Sequence, residues 1–406
     1  MPATLNLHRV FSTQEGYLHA LRVRDEDDAM LRTSREEIRA ALRGAFAAWP
    51  TFVAKVQLFD HEALAKSTDA APKLPQPKFR IQGSFAYFTA NDCQHPPLQQ
   101  IDQDDGVFLP VSFLMNGGGG RPSIASKGYF ELVEKALGPL CEKRGWLLKS
   151  KNTCVRVVIN ARLHIDLPLY AIQDEAFTSL MQAEIARDLQ KSLTMDAQID
   201  LDEEVYRRLA GSEILLAHRT EGWIVSDPRV LQVWFENAVA LYGQQIRRLS
   251  RVFKGLRDWR WAESDLGSIA IMGALVQARS AVREDFDSNR DDLAIVTLAR
   301  EMSGRVLQAI ENPAFPGQPE CNLCKDWSPE FRQQVSAMWW EASEAVESAI
   351  RDQVHKGLAL NKVRAVFGDR LPTDESLVSL VGVAAVIRSE VPQPAPRPMV
   401  PRSKSG

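Results

Sequence analysis

The sequence predicts a bilobal α+β protein, and three observations carry that expectation. Its 406 residues, 45% hydrophobic and 25% charged, have ordinary globular composition and the length of two domains or one large two-lobed unit. The first 225 residues mix period-two alternation with helical spacing. From Ser226 onward the apolar pattern is helical.

Charge and cysteine usage narrow the function classes. The chain has 49 basic and 52 acidic residues, a net charge of -3, so nothing global draws it to nucleic acid or an anionic membrane. The start, "MPATLNLHRVFSTQEG", lacks an apolar signal core, and no run of 18 apolar residues occurs, so the expected address is cytoplasmic. Five cysteines do not make a disulfide framework. Cys321 and Cys324 form one CxxC with only His355 nearby, which favours reduced thiols over a zinc site and leaves metal binding by the pair open.

The elements follow in order. "TSREEIRAALRGAFAAWP" (33–50) opens with a capping box from Ser34 to Glu37 and carries Ile38, Leu42, Phe46 and Ala47 at helical spacing until Pro50. Residues 67–78 are rich in Pro and small polar residues and are expected to form a loop. "FRIQGSFAYF" is a strand running through Gly83 and Ser84 into a turn or helix start, and an acidic strand follows at 100–113. The glycines at 117–120 lack the Lys-Ser/Thr ending of a phosphate-binding loop and suggest a mobile connection. A helix is expected from Ser123 to Trp146. Two strands come next, "CVRVVIN" and "LHIDLPLYAI", the second setting Leu163, Ile165 and Leu167 on one face and His164 and Asp166 on the other. Asp227 as N-cap and Pro228 at the first helical position start the helical half, with Val230, Trp234, Val239 and Tyr242 as its stripe. Helical spacing recurs at 266–282, 290–311, 328–356 and 374–389. The last 16 residues hold five prolines and are expected to be extended and mobile. The expected division is 1–225, 226–390 and a tail at 391–406.

The acidic strand, "QQIDQDDGVFLP", carries the chemistry. Side chains at i and i+2 of a strand share a face, so Asp102 and Asp104 project together. Two like charges about 4 Å apart repel by roughly 4 kcal/mol at an effective dielectric near 20, so something positive belongs beside them. Asp166 offers a third carboxylate from another strand, and three aspartates on neighbouring strands suit Mg²⁺. Asp105, before Gly106, is assigned to turn geometry. The solvated face of an edge strand is the competing account of Asp102 and Asp104. In "QGSF", Gly83 permits close backbone approach and Ser84 offers a hydroxyl to a triphosphate, although a plain turn explains the same residues. His164 is expected to be a strand residue with a local hydrogen bond rather than a base.

Together, "QGSFAYFT", "IDQDDGVFLPVSF", "NTCVRVVINARLHIDLPLYAI" and "GWIVSDPRVLQVWF" resemble bacterial cGAS/DncV-like nucleotidyltransferases of antiphage (CBASS) systems, members of the polymerase-β-like superfamily. The resemblance spans roughly residues 79–272. It implies a polymerase-β-like core with a mixed sheet, plus a helical C-terminal domain. It implies that Asp102, Asp104 and Asp166 hold two Mg²⁺ ions, or Mn²⁺, and that Asp166 helps activate the attacking ribose hydroxyl. By the same resemblance Gln82 and Ser84 belong to the nucleotide-binding turn around Gly83, and Tyr87 packs on a nucleobase. Lys254 reaches the triphosphate with Ser268 beside it. Alone, Lys254 also fits a snorkelling surface lysine and Tyr87 a core residue. "DLGSI" departs from the family's usual Gly-Pro-Ser-Ser-like run, and "VSFLMNGGGGRPSIASKGYF" differs from the best-known member of the group, which leaves the product open.

The implied activity is synthesis of a cyclic oligonucleotide second messenger from ATP and GTP, with release of pyrophosphate. Cyclic GMP-AMP is the leading product, other cyclic di- or trinucleotides follow, and extension of an RNA end is the alternative. The product would reach a downstream effector. The resemblance also implies a ubiquitin-transfer-like enzyme as a partner that conjugates the chain through Gly406.

Overall fold

The computed structural model describes residues 4–12, 14–48, 76–117, 121–178, 214–353 and 355–382. Strand β1 (Leu5–Asn6) and two short helices, α1 (His8–Ser12) and α2 (Tyr17–Ala20), precede the long helix α3 (Asp25–Ala47). The helix begins nine residues before the expected capping box at Ser34, which is instead a buried position within it. Its first turn is Asp25, Glu26, Asp27 and Asp28, four carboxyl side chains at the positive end of the helix dipole. Leu31, Ile38, Leu42 and Phe46 form the buried stripe, and Pro50 lies outside the described residues.

Strand β2 (Lys78–Gln82) runs into a single helical turn, α4 (Gly83–Ala86), and β3 (Ile101–Pro110) gives way to α5 (Val111–Gly117). Gly118–Gly120 lie outside the described residues, as do residues 67–75 of the expected loop. Helix α6 (Pro122–Arg144) has Pro122 at its first position and ends on Gly145 at φ 69°, a conformation that favours glycine. Then come β4 (Leu147–Ser150), β5 (Cys154–Val158), β6 (Leu163–Ile172), β7 (Ile214–His218) and β8 (Gly222–Val225). Three of these, β4, β7 and β8, are too short to advertise themselves by alternation.

The seven strands make one mixed sheet in which β2-β3-β6-β5-β4 are neighbours and β7, itself paired with β8, joins β6. Only β3 and β6 run parallel, with Asp102 opposite His164 and Asp104 opposite Asp166. Helices α3 and α6 pack on this sheet through Leu42, Phe46, Tyr129, Phe130 and Leu137. Asp105 does not form a turn. It is a fully buried strand residue, and Arg39 of α3 donates to its two oxygens at 2.7 and 2.5 Å. Strand alternation sends Asp105 to the face opposite Asp102 and Asp104, and the arginine makes its burial tolerable.

The helical lobe comprises α7 (Pro228–Tyr242), α8 (Gln245–Arg260), α9 (Ser268–Ala281), α10 (Asp291–Val306), α11 (Pro329–Arg351) and α12 (Lys356–Phe367). Asp227 caps α7 as expected, its Oδ1 accepting from the Arg229 amide at 2.9 Å. Three of the four expected stripe residues of α7 face the core, Val239 buried and Trp234 and Tyr242 packed against it beside Phe235 and Ala238, whereas Val230 is exposed. The expected helix at 374–389 is instead a turn at Glu375–Leu377 followed by β9 (Ser379–Leu380), which pairs antiparallel with β1; residues 383–389 lie outside the described set. Leu5, Leu7, Val10, Phe11, Tyr17 and Leu18 share the core of the helical lobe rather than that of the sheet.

Removing one member of a buried ion pair strands the other, so Arg39→Leu should lower unfolding free energy by about 3 kcal/mol in urea denaturation. The Arg39→Leu/Asp105→Leu double variant should recover most of that loss.

Candidate active site

Between the sheet and the helical lobe lies a cavity of about 420 Å³ whose lining includes Gly83, Ser84, Tyr87, Asp102, Asp104, Lys254 and Ser268. Seven of the residues singled out in the sequence thus meet in one cleft. A second cavity, of about 380 Å³, is lined by Gln82, Tyr170, Asp227 and Val230 among others. The two share Gly83, Tyr87, Asp104 and Leu231.

The strands fix the carboxylates. Asp166 is buried, and Arg156 of β5 donates to both of its oxygens at 2.7 Å. Arg156 is therefore one positive charge that the acidic run demanded, and it comes from the strand next door. Asp104 is pushed well above the usual carboxylate range, first by burial and then by the Asp102 and Asp166 charges, against the opposing pull of Arg156. The Asp104 carboxylate reaches across to α4, where Gly83 sits at φ 62°; a Cβ at Gly83 would stand 2.0 Å from Asp104 Oδ2. Both the backbone angle and this close approach require glycine.

His164 is 5% exposed, and its Nε2 lies 3.0 Å from Asp102 Oδ1 without hydrogen-bond alignment. Ligand atoms of Asp102, His164 and Asp166 all lie within 4.8 Å of one another. Buried, unpartnered Asp102 Oδ1 and His164 Nε2 beside Asp166 fit a divalent cation. Cys321 and Cys324 belong to no such cluster among the described residues; Cys324 is buried, its thiol donating to Asn322 Oδ1 at 3.3 Å.

The segment joining α4 to β3 is strapped to α8. Arg247 Nε donates to the Tyr87 carbonyl at 3.0 Å, Lys254 Nζ to the Thr89 carbonyl at 2.7 Å, and Asn91 Nδ2 to the Arg251 carbonyl at 2.9 Å. Lys254 does not snorkel: it is 4% exposed and lines the cleft. Burial, followed by the nearby Arg257 charge, lowers its pKa from 10.5 to about 7. Ser268 begins α9 and accepts from Arg257 Nη1 at 3.2 Å. Tyr87 lines the cleft and also packs on Phe235, their ring centroids 6.1 Å apart. Gln82 is buried behind the carboxylates, its Oε1 accepting from Tyr170 Oη at 3.1 Å. Gly406 lies outside the described residues.

Sequence reasoning missed Arg156 and three residues that line the cleft, Gln100, Arg257 and Asp258. Arg257 stands three positions after Lys254 on one helix, a spacing that could have flagged it. Arg156 gave no signal until its strand was paired with Asp166.

A mixed sheet that sets paired aspartates beside a Gly-Ser turn, closed by a helical lobe, defines a nucleotidyltransferase of polymerase-β-like fold. Residues 77–170 match the family described as cyclic GMP-AMP synthase DncV-like, nucleotidyltransferase domain, and residues 243–380 match cyclic GMP-AMP synthase, C-terminal domain. An Escherichia coli cyclic GMP-AMP synthase is 30% identical over 348 residues, covering 82% of this chain and 76% of that protein. One from Vibrio cholerae is 29% identical over 316 residues, covering 74% and 69% respectively. Among solved structures, a mutant of the Vibrio cholerae di-nucleotide cyclase DncV superposes with a TM-score of 0.74 at 22% identity, covering 94% of this chain and 100% of that one. DncV in complex with the linear intermediate 5' pppA(3',5')pG gives 0.71 at 23% identity, again over 94% and 100%. These superpositions establish the fold. The chain belongs to the DncV-like family of bacterial nucleotidyltransferases.

The Lys254 shift has a measurable sign. Below pH about 7 both folded and unfolded chains hold its proton, and burying that charge destabilises the fold. Between about 7 and 10.5 the folded chain has shed the proton that the unfolded chain still keeps, so stability rises with pH across that window. Chemical denaturation from pH about 7 to 9 should show this rise in the wild type, and Lys254→Met should flatten it.

Proposed function

We propose that the protein joins ATP and GTP into a cyclic oligonucleotide, cyclic GMP-AMP first among the candidates, with release of pyrophosphate. The observation that carries the proposal is the meeting of two cavities at Gly83, Tyr87 and Asp104, where Asp166 stands across the sheet. Two nucleotides can then approach one acidic edge from either side. The names of the relatives, cyclic GMP-AMP synthases, support the same reading.

Each residue has a task in this proposal. Ser84 offers its hydroxyl to the donor phosphates, and Gly83 lets the backbone come close. Lys254, charged beside a triphosphate, neutralises it, and Arg257 holds Ser268 next to that position. Tyr87, braced by Phe235, gives a base a flat wall. Asp102, Asp104 and Asp166 would hold divalent cations, Mg²⁺ or Mn²⁺, which supply charge neutralisation for the attacking and leaving oxygens. Asp166, kept in place by Arg156, takes the proton of the ribose hydroxyl. The hydroxyl oxygen bonds to the α-phosphorus as its bond to the bridging oxygen breaks and pyrophosphate leaves. A second transfer within the linear product closes the ring.

In this reading residues 1–225 carry the catalytic unit and 226–390 a helical unit that completes the cleft, with the start of the chain packed into the helical unit's core. The family resemblance implies a role in antiphage signalling through a separate effector, and the proposed location, read from the sequence, is cytoplasmic. Among the described residues no helix is long and apolar enough to cross a membrane.

With Mg²⁺ and the four NTPs, the purified protein should release pyrophosphate and accumulate a phosphatase-resistant nucleotide of cyclic mass. Asp102→Ala with Asp104→Ala should cut that rate by at least about 1,000-fold. Elongation of added RNA without a cyclic product would replace this proposal with a polymerase-like one. Gly83→Ala should lower the rate by about 100-fold, because the new methyl evicts the Asp104 carboxylate.

A further inference from the structure

On the cleft face of the parallel pair, four side chains form a square: Asp102 and Asp104 on β3, His164 and Asp166 on β6. Three corners are carboxylates. The fourth is an imidazole whose hydrogen-bond partners determine which ring nitrogen carries the proton.

Gln100 settles the tautomer. Its Nε2 donates to the Asn160 carbonyl at 2.8 Å, and the reverse orientation would set two oxygens against each other. Its Oε1 therefore faces His164 Nδ1, 3.1 Å away, and that contact is a hydrogen bond only if Nδ1 carries hydrogen. The neutral ring then presents a bare lone pair at Nε2. Nε2 lies 3.0 Å from Asp102 Oδ1 with that lone pair not aimed at the oxygen, and both atoms are buried without a hydrogen-bond partner. Two acceptors so placed repel unless a cation binds them both. Two ligands at about 2.1 Å from one ion and at right angles are about 3.0 Å apart. The Nδ1–H contact to an amide oxygen is also the outer support that metal-binding histidines ordinarily have.

We propose that His164 Nε2 is a metal ligand, completing with Asp102 and Asp166 a mixed nitrogen–oxygen site for a divalent cation, with Gln100 as its positioning residue. The Asp166 oxygens each accept from Arg156, and the Cys154 thiol is a further donor to the carboxylate, whose four lone pairs still leave one for the ion. An imidazole nitrogen binds first-row transition ions more tightly than Mg²⁺, so this site prefers Mn²⁺ to Mg²⁺. The proposal rests on the nucleotidyltransferase reading of the acidic cleft, and its test separates the two.

The test uses the full chain with Mn²⁺ alone, read by electron paramagnetic resonance for bound ion and by electron spin-echo modulation for nitrogen coupling. The wild type should show Mn²⁺ coupled to a nitrogen. His164→Gln, which keeps an oxygen in reach, should bind Mn²⁺ without that coupling and lose most of its preference for Mn²⁺ over Mg²⁺ in competition. Gln100→Leu should retain the coupling and weaken Mn²⁺ about 10-fold. Melting curves in EDTA establish that each variant is folded; if His164→Gln is not, the wild-type coupling and the Gln100→Leu affinity decide. Bound Mn²⁺ that depends on Asp102 and Asp104 but shows no nitrogen coupling in the wild type would overturn ligation by His164 and leave the acidic site standing. Absence of any Mn²⁺ binding would overturn both.

Discussion

The site depends on the parallel register of β3 and β6. That pairing sets Asp104 opposite Asp166 and Asp102 opposite His164, and a slip of one residue would turn each set to the other side of the sheet. Carboxylates gathered this closely oppose the pairing that gathers them, so the register has to be held from outside the site. Arg39 holds Asp105 from the α3 side, and Arg156 holds Asp166 from β5. Around these pins, apolar side chains such as Val107, Leu109, Leu167 and Leu169 bury both strands. The repulsion that remains is visible on Asp104, whose carboxyl is pushed toward its protonated form.

The second half of the cleft depends on the chain between α4 and β3 being tied to the helical lobe. Gln99 Nε2 donates to the Asp258 and Trp261 carbonyls at 3.0 and 2.7 Å, and Arg370 donates to the Asp92 and Cys93 carbonyls at 3.0 and 2.6 Å. With the Thr89 and Asn91 contacts, these bonds satisfy a connecting segment that has few backbone partners of its own. They also carry Lys254 and Arg257 to the same gap as the carboxylates. The wall opposite the sheet is therefore set by α8, and α8 in turn is packed by Tyr17, Leu18 and Leu21 from the start of the chain. Sequence-distant segments thus converge on the position of one lysine.

Much of this was legible in the sequence, and the failures have physical causes. The α+β division, β3, β6, α6 and the capped start of α7 were readable because each combines length, periodicity and a terminal signal. Strands β4, β7 and β8 have only four or five residues, too few for alternation to stand out, and their pairing supplies the stability that their sequences do not announce. Ser34 followed by Glu37 imitated a capping box because the pattern is short; the acidic run before it was the better sign of a helix start. At Asp105 the Asp-Gly dipeptide suggested a turn, and only an arginine 66 positions away in the chain explains why it lies in a strand. Long-range pairing is also what hid Arg156. The cleft residues themselves were recoverable since spacing placed the aspartates and motif order supplied the rest.

Two groups in the cleft are displaced from their ordinary charge, and in opposite senses. Burial drives Asp104 toward the neutral acid and Lys254 toward the neutral amine, so the same desolvated gap disfavours both charges. A partner bearing only negative charge would restore Lys254 and make Asp104 worse. One bearing only positive charge would do the reverse. In the proposed reading, a triphosphate accompanied by a divalent cation would meet both demands at once, with the cation at the sheet and the phosphates toward α8. The proposed function thus suits the cleft through the pair rather than through either member, because β3 and α8 place Asp104 and Lys254 in one gap.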